Sequence, residues 1–511
     1  MKQKQGLILP FIGAILLALA ACQPTTPRLA TATAQAQMAP TPTQEPLILP
    51  APASTAVTAA HPQADASPNP SLTVWIDETS PEHRQALNQM AADFSQTYQI
   101  DVELMLVAPA LLPKLMETAV ISDAFSLPDI VLHPIEYTVG WAERGILDTA
   151  VANEVVDAIG RDTFNPAALA LVESNGLTAA IPSDASPQIV VYRTDWVEEL
   201  GLALPDNPAA MLALAEASAA IGPLVSGFVI PTESNLTTTH QAFEQIAQAY
   251  GCQLIDEKGE VLILEPACQA ALDFYFEIVH NYSPTGVQTD TSARNAYLAG
   301  RTGLIISSPG ILPALAGLND AAPPRCAECG VDSSYLAKNS GVITHITGDG
   351  PLAQGSNLSE MTYLGITSAA DRETAVAFAA YWFNEGYADW LAVESERKTP
   401  LRWGTVEQPR LFIDAWGEQP LVPDGPSLRE LYGDAMVVQL REAAAASPRW
   451  GLAQGQGSLV AALYEELTFS VTLQEMLSGY FSPGQTLTEA YARIVDLIPN
   501  YSYDIDVNPD G

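Results

Sequence analysis

Positive charge is what this chain has least of. Only 22 Lys and Arg stand against 59 Asp and Glu in 511 residues, a formal net charge of −37. That balance excludes a nucleic-acid partner, which needs a basic footprint, and argues equally against a body lying on anionic lipid. Catalytic signatures are missing too: there is no GxSxG, no HExxH, and no glycine-rich phosphate loop followed by lysine. The six histidines, His61, His83, His133, His240, His280 and His345, are scattered without metal-ligand spacing, so no metal and no other cofactor is expected. Aromatics make up 7% of the chain, which weakens any ligand site built on stacked rings. What is present is 48% hydrophobic residues with 16% charged, a globular composition long enough for two or more domains.

Cysteine is sparse, and its odd count of five calls for one residue with a separate job. Lys2 and Lys4, an apolar run from Leu7 to Ala21, and the small residues before Cys22 make a secretory signal. The run is short for a membrane span. Leu19-Ala20-Ala21-Cys22 resembles a bacterial lipobox, which implies cleavage after residue 21 and a lipid anchor on Cys22. The remaining four then face an oxidising compartment. Cys252 and Cys268 flank two apolar runs with Lys258-Gly259 as a turn between them, which brings the sulfurs together across a hairpin. Cys326 and Cys329 form a CxxC with neither a thioredoxin-like context nor a second ligand pair. Two disulfides, Cys252–Cys268 and Cys326–Cys329, are expected, with crossed pairing the alternative.

Residues 22–70 are Pro, Ala, Thr and Gln with almost no charge, a tether of roughly 40 Å. Order begins at the strand Leu72–Ile76, followed by a helix opened by Ser80-Pro81 with Leu87, Met90, Ala91, Phe94 and Tyr98 on one face. A second strand spans Ile100 to Val107, an apolar helix starts near Ala110, and Pro128–Leu132 is a third strand. This βαβαβ start implies a parallel sheet covered by helices. Farther on, Arg294 to Gly310 reads as a helix end, a break at Gly300, the buried strand Leu304–Ile306, and a loop Ser307-Ser308-Pro309-Gly310. Strand-end loops of this kind collect ligands in open α/β sheets.

Several of these stretches carry a family resemblance. Arg294–Gly310 resembles the "aF..GkaAM..sgpw" segment of family 1 extracellular solute-binding proteins, the maltose-binding-like receptors of ABC importers, with Gly310 where that segment closes on an aromatic. Pro128–Val131 and Trp141–Ala150, "PDIV…WAERGILDTA", are similar to its strand, ligand loop and helix. Gly176–Pro182 and Ile189–Asp195 resemble "y.G..yglP…..lyYN.dlf", Glu360–Ile366 the returning strand, Lys398–Arg402 "g..Pvr", and Leu487–Ala492 the C-terminal "s.eeAL..A". The resemblance spans about residues 72–500. It implies an α/β, two-lobed periplasmic-binding-protein-like fold of type II, each lobe a mostly parallel sheet flanked by helices, joined by a hinge. The organisation that follows is signal peptide 1–21, tether 22–70, lobe 1 from 71–185, lobe 2 from 186–300, hinge crossings and returning segments 301–400, C-terminal helices 401–500, and an acidic tail 501–511. That tail resembles the start of a calcium loop but has Pro509 where glycine is needed.

The function implied is capture of a small solute, by default a sugar or oligosaccharide, and delivery to an ABC permease. The protein is then a monomeric, lipid-anchored lipoprotein on the extracytoplasmic face of the cell membrane, and not an enzyme. An extracytoplasmic enzyme or a sensor on the same fold is the alternative. Candidate ligand contacts come from strand-end loops: Asp77 and Glu78 after the first strand; His133, Glu136 and Tyr137 after the third; Ser183 and Asp184; Ser307 and Ser308; Tyr363; and Arg402 with Trp403 as a sugar platform. Each has a plainer use. Asp77 and Glu78 can cap the helix at Ser80, Tyr137 can be core, and the serines can satisfy turn backbone.

Overall fold

A computed structural model describes residues 69–122, 126–348, 355–445 and 447–499. The chain separates into Met1–Ala66 and Ser67–Gly511, and every described residue lies in the second unit. The signal peptide, Cys22, nearly all of the tether and the acidic tail lie outside the described residues.

Three strands open the fold: β1 (Ser71–Asp77), β2 (Asp101–Val107) and β3 (Ile130–Pro134). In β1 the side chains alternate, so Leu72, Val74 and Ile76 enter one core with Phe94 and Leu132, while Trp75 enters the opposite core with Trp141. The helix Pro81–Tyr98 follows as expected. The Ser80 side chain accepts from His83 N, proline occupies its first turn, and Gln99 stops it in a left-handed conformation with φ 59°. β1 pairs in parallel with both β2 and β3.

The small hairpin β4 (Glu173–Ser174) and β5 (Leu177–Thr178) precedes β6 (Ile181–Pro187). One residue, Gln188, then separates β6 from β7 (Ile189–Arg193), and in that step the chain passes from one sheet to another. β8 (Ser226–Val229), β9 (Thr302–Ser307) and β10 (Ser340–Ile343) complete the second sheet, in order β10-β7-β9-β8. β11 (Ser359–Ile366) and β12 (Thr399–Pro400) return to the first, giving the order β12-β6-β11-β3-β1-β2.

Both sheets are mixed rather than mostly parallel. β11 runs antiparallel to β3 and β6, and β7 runs antiparallel to β9 and β10. The reason is directional: β1 and β3 leave their sheet at their carboxyl ends, and a strand returning from the other sheet re-enters at that same end. A second difference concerns the stretch expected to cross a hinge. Its strand β9 instead sits inside the four-stranded sheet, where Leu304 and Ile306 fill one core and Ile305 the other. A strand buried on both faces gives a continuous apolar run with no alternation to mark its place.

The C-terminal helices tie both sheets together. Gly457–Glu465 packs on Ile135–Glu143, with Gly140 and Gly457 letting the backbones approach; a Cβ on Gly140 would lie 2.5 Å from Ala461 Cβ. Thr468–Leu477 and Pro483–Leu497 place Phe469, Leu473, Leu487 and Ile494 in the core of the four-stranded sheet. The disulfide Cys252–Cys268 staples the entry of helix Pro266–Tyr282 in that same core, and Cys326–Cys329 closes the turn beyond β9.

Candidate functional site

Two adjoining cavities open at the strand ends of the six-stranded sheet, and the second also reaches the four-stranded sheet. The first, of about 300 Å³, lies at the carboxyl ends of β1 and β3 and on the face of β6 and β11 that shows Asp184, Ser186, Glu360 and Thr362. The second, of about 340 Å³, shares Ser186, Glu360 and Arg397 with the first and reaches Ile306, Ser307 and Ser308 of the other sheet. The helices Thr237–Ala249 and Asp290–Leu298 begin at its wall, presenting Thr237, Thr238, Asp290 and Thr291. Helix N-termini carry free N–H groups that suit hydroxyl or anionic oxygens.

Polar atoms without protein partners cluster here. Asp77 Oδ1, Ser186 Oγ, Gln188 Oε1 and Arg397 Nε are buried and unpartnered, and all four residues line one or both cavities. Burial is the largest cause that raises the Asp77 carboxyl well above the usual range, followed by the charges of Glu360, Glu78 and Glu136. Glu360 is raised chiefly by burial as well, with Arg397 opposing the shift. These groups lack what a settled protein interior supplies to buried polar atoms.

The other charged side chains in the first cavity are held by the protein. Asp184 Oδ2 accepts from Ser183 Oγ and Trp390 Nε1, each at 2.7 Å. Lys398 Nζ donates to His83 Nε2 at 2.6 Å and lies over the Trp390 ring at 4.0 Å. Burial brings Lys398 down to about 8, opposed by Asp184, and burial with the Lys398 charge brings His83 down to about 4. Glu78 Oε1 accepts the backbone N–H groups of Thr79 and Ser80, and Arg397 pairs with Glu394 at 2.9 Å. Glu78, His83 and Glu394 bring metal-ligand atoms within 4.8 Å of one another. Lys398 and Arg397 supply positive charge to that group already, so a cation has little to gain there.

Of the residues singled out from sequence, Asp77, Glu78 and Asp184 line the first cavity, and Ser307 and Ser308 the second, where Arg294 donates to both hydroxyls at 3.2 and 2.7 Å. The others, His133 excepted, point elsewhere. His133 lines the first cavity, buried, with its ring 5.0 Å from that of Trp141 and its Nε2 without a partner. Glu136 and Tyr137 stand on the helix Ile135–Glu143 rather than in a loop; Tyr137 stacks on Trp141 and Glu136 pairs with Arg449. Ser183 serves Asp184, and the Tyr363 hydroxyl donates to Ala168 O in the core. Arg402 is 1% exposed, its guanidinium donating to Phe383 O, Ile159 O and Asn384 Oδ1. Trp403 lines a separate pocket with Leu401 and Ile413. Neither belongs to the cleft, because Pro400 ends β12 and the chain turns under the six-stranded sheet.

Sequence reasoning missed Ser186, Gln188, Gln241, Glu360, Thr362, Arg294 and Arg397. A signal existed for one pair: Glu360 and Thr362 alternate along a strand whose other face carries Met361 and Tyr363.

Two mixed sheets, joined by the one-residue step at Gln188 and lining a polar cleft at strand ends, define a two-lobed binding protein. The chain belongs to the bacterial extracellular solute-binding protein family, whose model matches residues 48–395. No curated protein matches the sequence. Among solved structures, an ABC transporter solute-binding protein of Thermotoga lettingae TMO bound with α-D-tagatose is 18% identical, covering 84% of this chain and 99% of its own, with TM-score 0.64. Maltose-bound MalE3 of T. maritima is 17% identical over 84% and 100%, TM-score 0.63. The GacH receptor of Streptomyces glaucescens GLA.O, solved unliganded and with acarbose, is 17% identical over 85% and 100%, TM-score 0.63. At such identities the likeness is one of fold.

Proposed function

We propose that the two adjoining cavities form one interlobe site that closes on a small hydroxylated solute, which the protein then delivers to an ABC importer. The observation that carries this reading is the group of buried, unpartnered polar atoms on Asp77, Ser186, Gln188 and Arg397, lining two adjoining cavities of which the second reaches both sheets. A ligand bearing hydroxyls supplies the missing partners, and lobe closure by hinge motion divides the binding energy between the sheets. The solved relatives named above hold tagatose, maltose and acarbose, which supports a carbohydrate. Among the described residues the cleft lining offers no open aromatic face, since Trp390 is buried beneath Lys398. That favours a small sugar or polyol, gripped by hydrogen bonds, over a long oligosaccharide stacked on rings.

The same reading makes the protein a receptor and not an enzyme, and takes Cys22 as a lipid anchor that leaves the body tethered outside the membrane. Among the described residues no helix is long and apolar enough to cross a membrane. Small-angle scattering of the full chain, with and without each of a panel of sugars and polyols, tests the proposal. Compaction with a saturable dependence on one solute is expected. An unchanged profile, with no shift in melting temperature across the panel, would overturn it.

A further inference from the structure

Within that site, charge is distributed unevenly. The first cavity sets five carboxyl groups against two cations, Arg397 and Lys398. Glu394 is paired with Arg397, Asp184 is held by Ser183 and Trp390 beside Lys398, and Glu78 is bonded by backbone N–H groups. Asp77 and Glu360 are left over. Among the described residues no Lys, Arg or His comes within ion-pair distance of either, although Glu360 is the charged group acting most strongly on Asp77. Arg397 acts on Glu360 only from beyond ion-pair distance and is already paired with Glu394. Two carboxylates that repel each other, share a cavity and make no direct ion pair are a poor arrangement unless something cationic joins them.

A second observation marks the same spot as a ligand site. Ser186 is 8% exposed, its Oγ is buried and unpartnered, and it lines both cavities beside Glu360, which it faces across the β6–β11 register. The hydroxyl can accept from an ammonium N–H while the carboxylates balance its charge. The second cavity differs in kind. Arg294 with Ser307, Ser308 and the threonines at two helix N-termini offer donors for neutral oxygens, and Asp290 offsets the arginine.

We infer that the solute carries an ammonium group, seated between Asp77 and Glu360 with Ser186 as its hydroxyl partner. This rests on the interlobe cavities being the solute site. The ammonium belongs to an amino sugar, whose hydroxyls then reach Arg294 and Ser308 in the second cavity. The protonated amine supplies the direct ion-pair partner that the two carboxylates do not have within the protein.

Titration calorimetry of the full chain at low ionic strength, with glucosamine, putrescine and spermidine set against glucose, maltose and mannitol, tests the inference. At least one amine is expected to bind, more tightly than the neutral solutes, with affinity falling as salt is added. Glucosamine binding alone bears out the amino sugar, whereas putrescine or spermidine alone keeps the ammonium seat and overturns the hydroxylated solute. The Asp77→Asn and Glu360→Gln variants are expected to melt higher than the parent without ligand, because a repulsion is relieved, and yet to bind the amine about tenfold or more weakly. That opposed pair of changes separates ligand contact from misfolding. Binding of a neutral sugar, with no amine bound more tightly, overturns the ammonium inference and leaves the receptor reading standing. No binding by any of the six solutes overturns both.

Discussion

Arg397 runs across the face of Gly310: a Cβ placed on that glycine would lie 2.8 Å from Arg397 Cδ and 3.2 Å from its Cγ. The two residues come from opposite sides of the cleft, one after β9 and one before β12. The stem of Arg397 fills the space that a side chain at position 310 would need. A guanidinium supported in this way can face the carboxylates and the second cavity at once.

Replacing Gly310 should therefore move Arg397. Gly310→Ala is expected to cost about 1–3 kcal/mol of stability through overpacking and to weaken solute binding severalfold by disturbing the Arg397–Glu394 pair. Denaturant melts beside calorimetry measure both. An alanine variant with unchanged affinity would show that Arg397 has no part in the site.

Arg449 is the cation that joins the lobes in the interior. Its Nη2 lies 2.9 Å from Glu136 Oε1 on the helix Ile135–Glu143, and its Nε 3.4 Å from Glu244 Oε1 on the helix Thr237–Ala249, with all three side chains 1% exposed. Gln241 donates to the same Glu136 oxygen at 2.9 Å. Arg449→Met leaves two carboxylates buried without a counter-ion, so a loss of about 3–5 kcal/mol is expected. Equilibrium urea unfolding is the check, and a loss below about 1 kcal/mol would contradict the stated geometry.

Glu396 gives a signed pH effect. Burial is the main cause that raises its carboxyl to about 7, and Glu394 adds to it while Arg397 and Lys398 oppose it. Its folded value lies above the unfolded one, so the folded state holds the proton longer and stability falls as pH rises from about 4.5 through 7. Asp77, Glu360 and Asp184 are raised in the same direction. Buried His133 and His240, held low at about 4 and about 3, act oppositely, losing stability as pH falls below about 6.5. Glu396→Gln should remove its own share, making the variant up to about 3 kcal/mol more stable than the parent at pH 8 and about equal at pH 4. Parallel melting curves for the two proteins across that range would expose an incorrect sign.

The two disulfides should differ in weight. Cys252–Cys268 spans 16 positions and Cys326–Cys329 only 3, so loop-closure entropy gives about 3 kcal/mol for the first and about 2 for the second. Cys252→Ala with Cys268→Ala is thus expected to lower the melting temperature more than the matching pair at Cys326 and Cys329. Equal losses would show that chain entropy is not what these bonds contribute.

Legibility from sequence tracked the locality of the signal. The Ser80 cap, the Leu87–Phe94 face and the strands at 72–76 and 304–306 could be read because caps and apolar runs are set by neighbours in the chain. The pairing of Cys252 with Cys268 was legible for the same reason, a short hairpin-like excursion between them. Strand direction was not, because antiparallel return depends on which end of a sheet the chain re-enters. Arg402 and Trp403 looked exposed and useful, yet the turn after β12 takes Arg402 into a nest of backbone carbonyls. A polar residue in a strand-end loop has the same one-dimensional signature whether the loop meets the cleft or the core.

The sequence by itself determined an acidic, two-lobed α/β chain built from locally coded helices and strands, with Asp77 at a strand end where a ligand would be met. Only the tertiary structure decided that Asp77, Ser186, Glu360 and Arg397, separated by up to about three hundred residues in the chain, share one space. Their meeting follows from β11 returning between β3 and β6, a placement set by the packing of two sheets and not by any local preference of the residues that compose it.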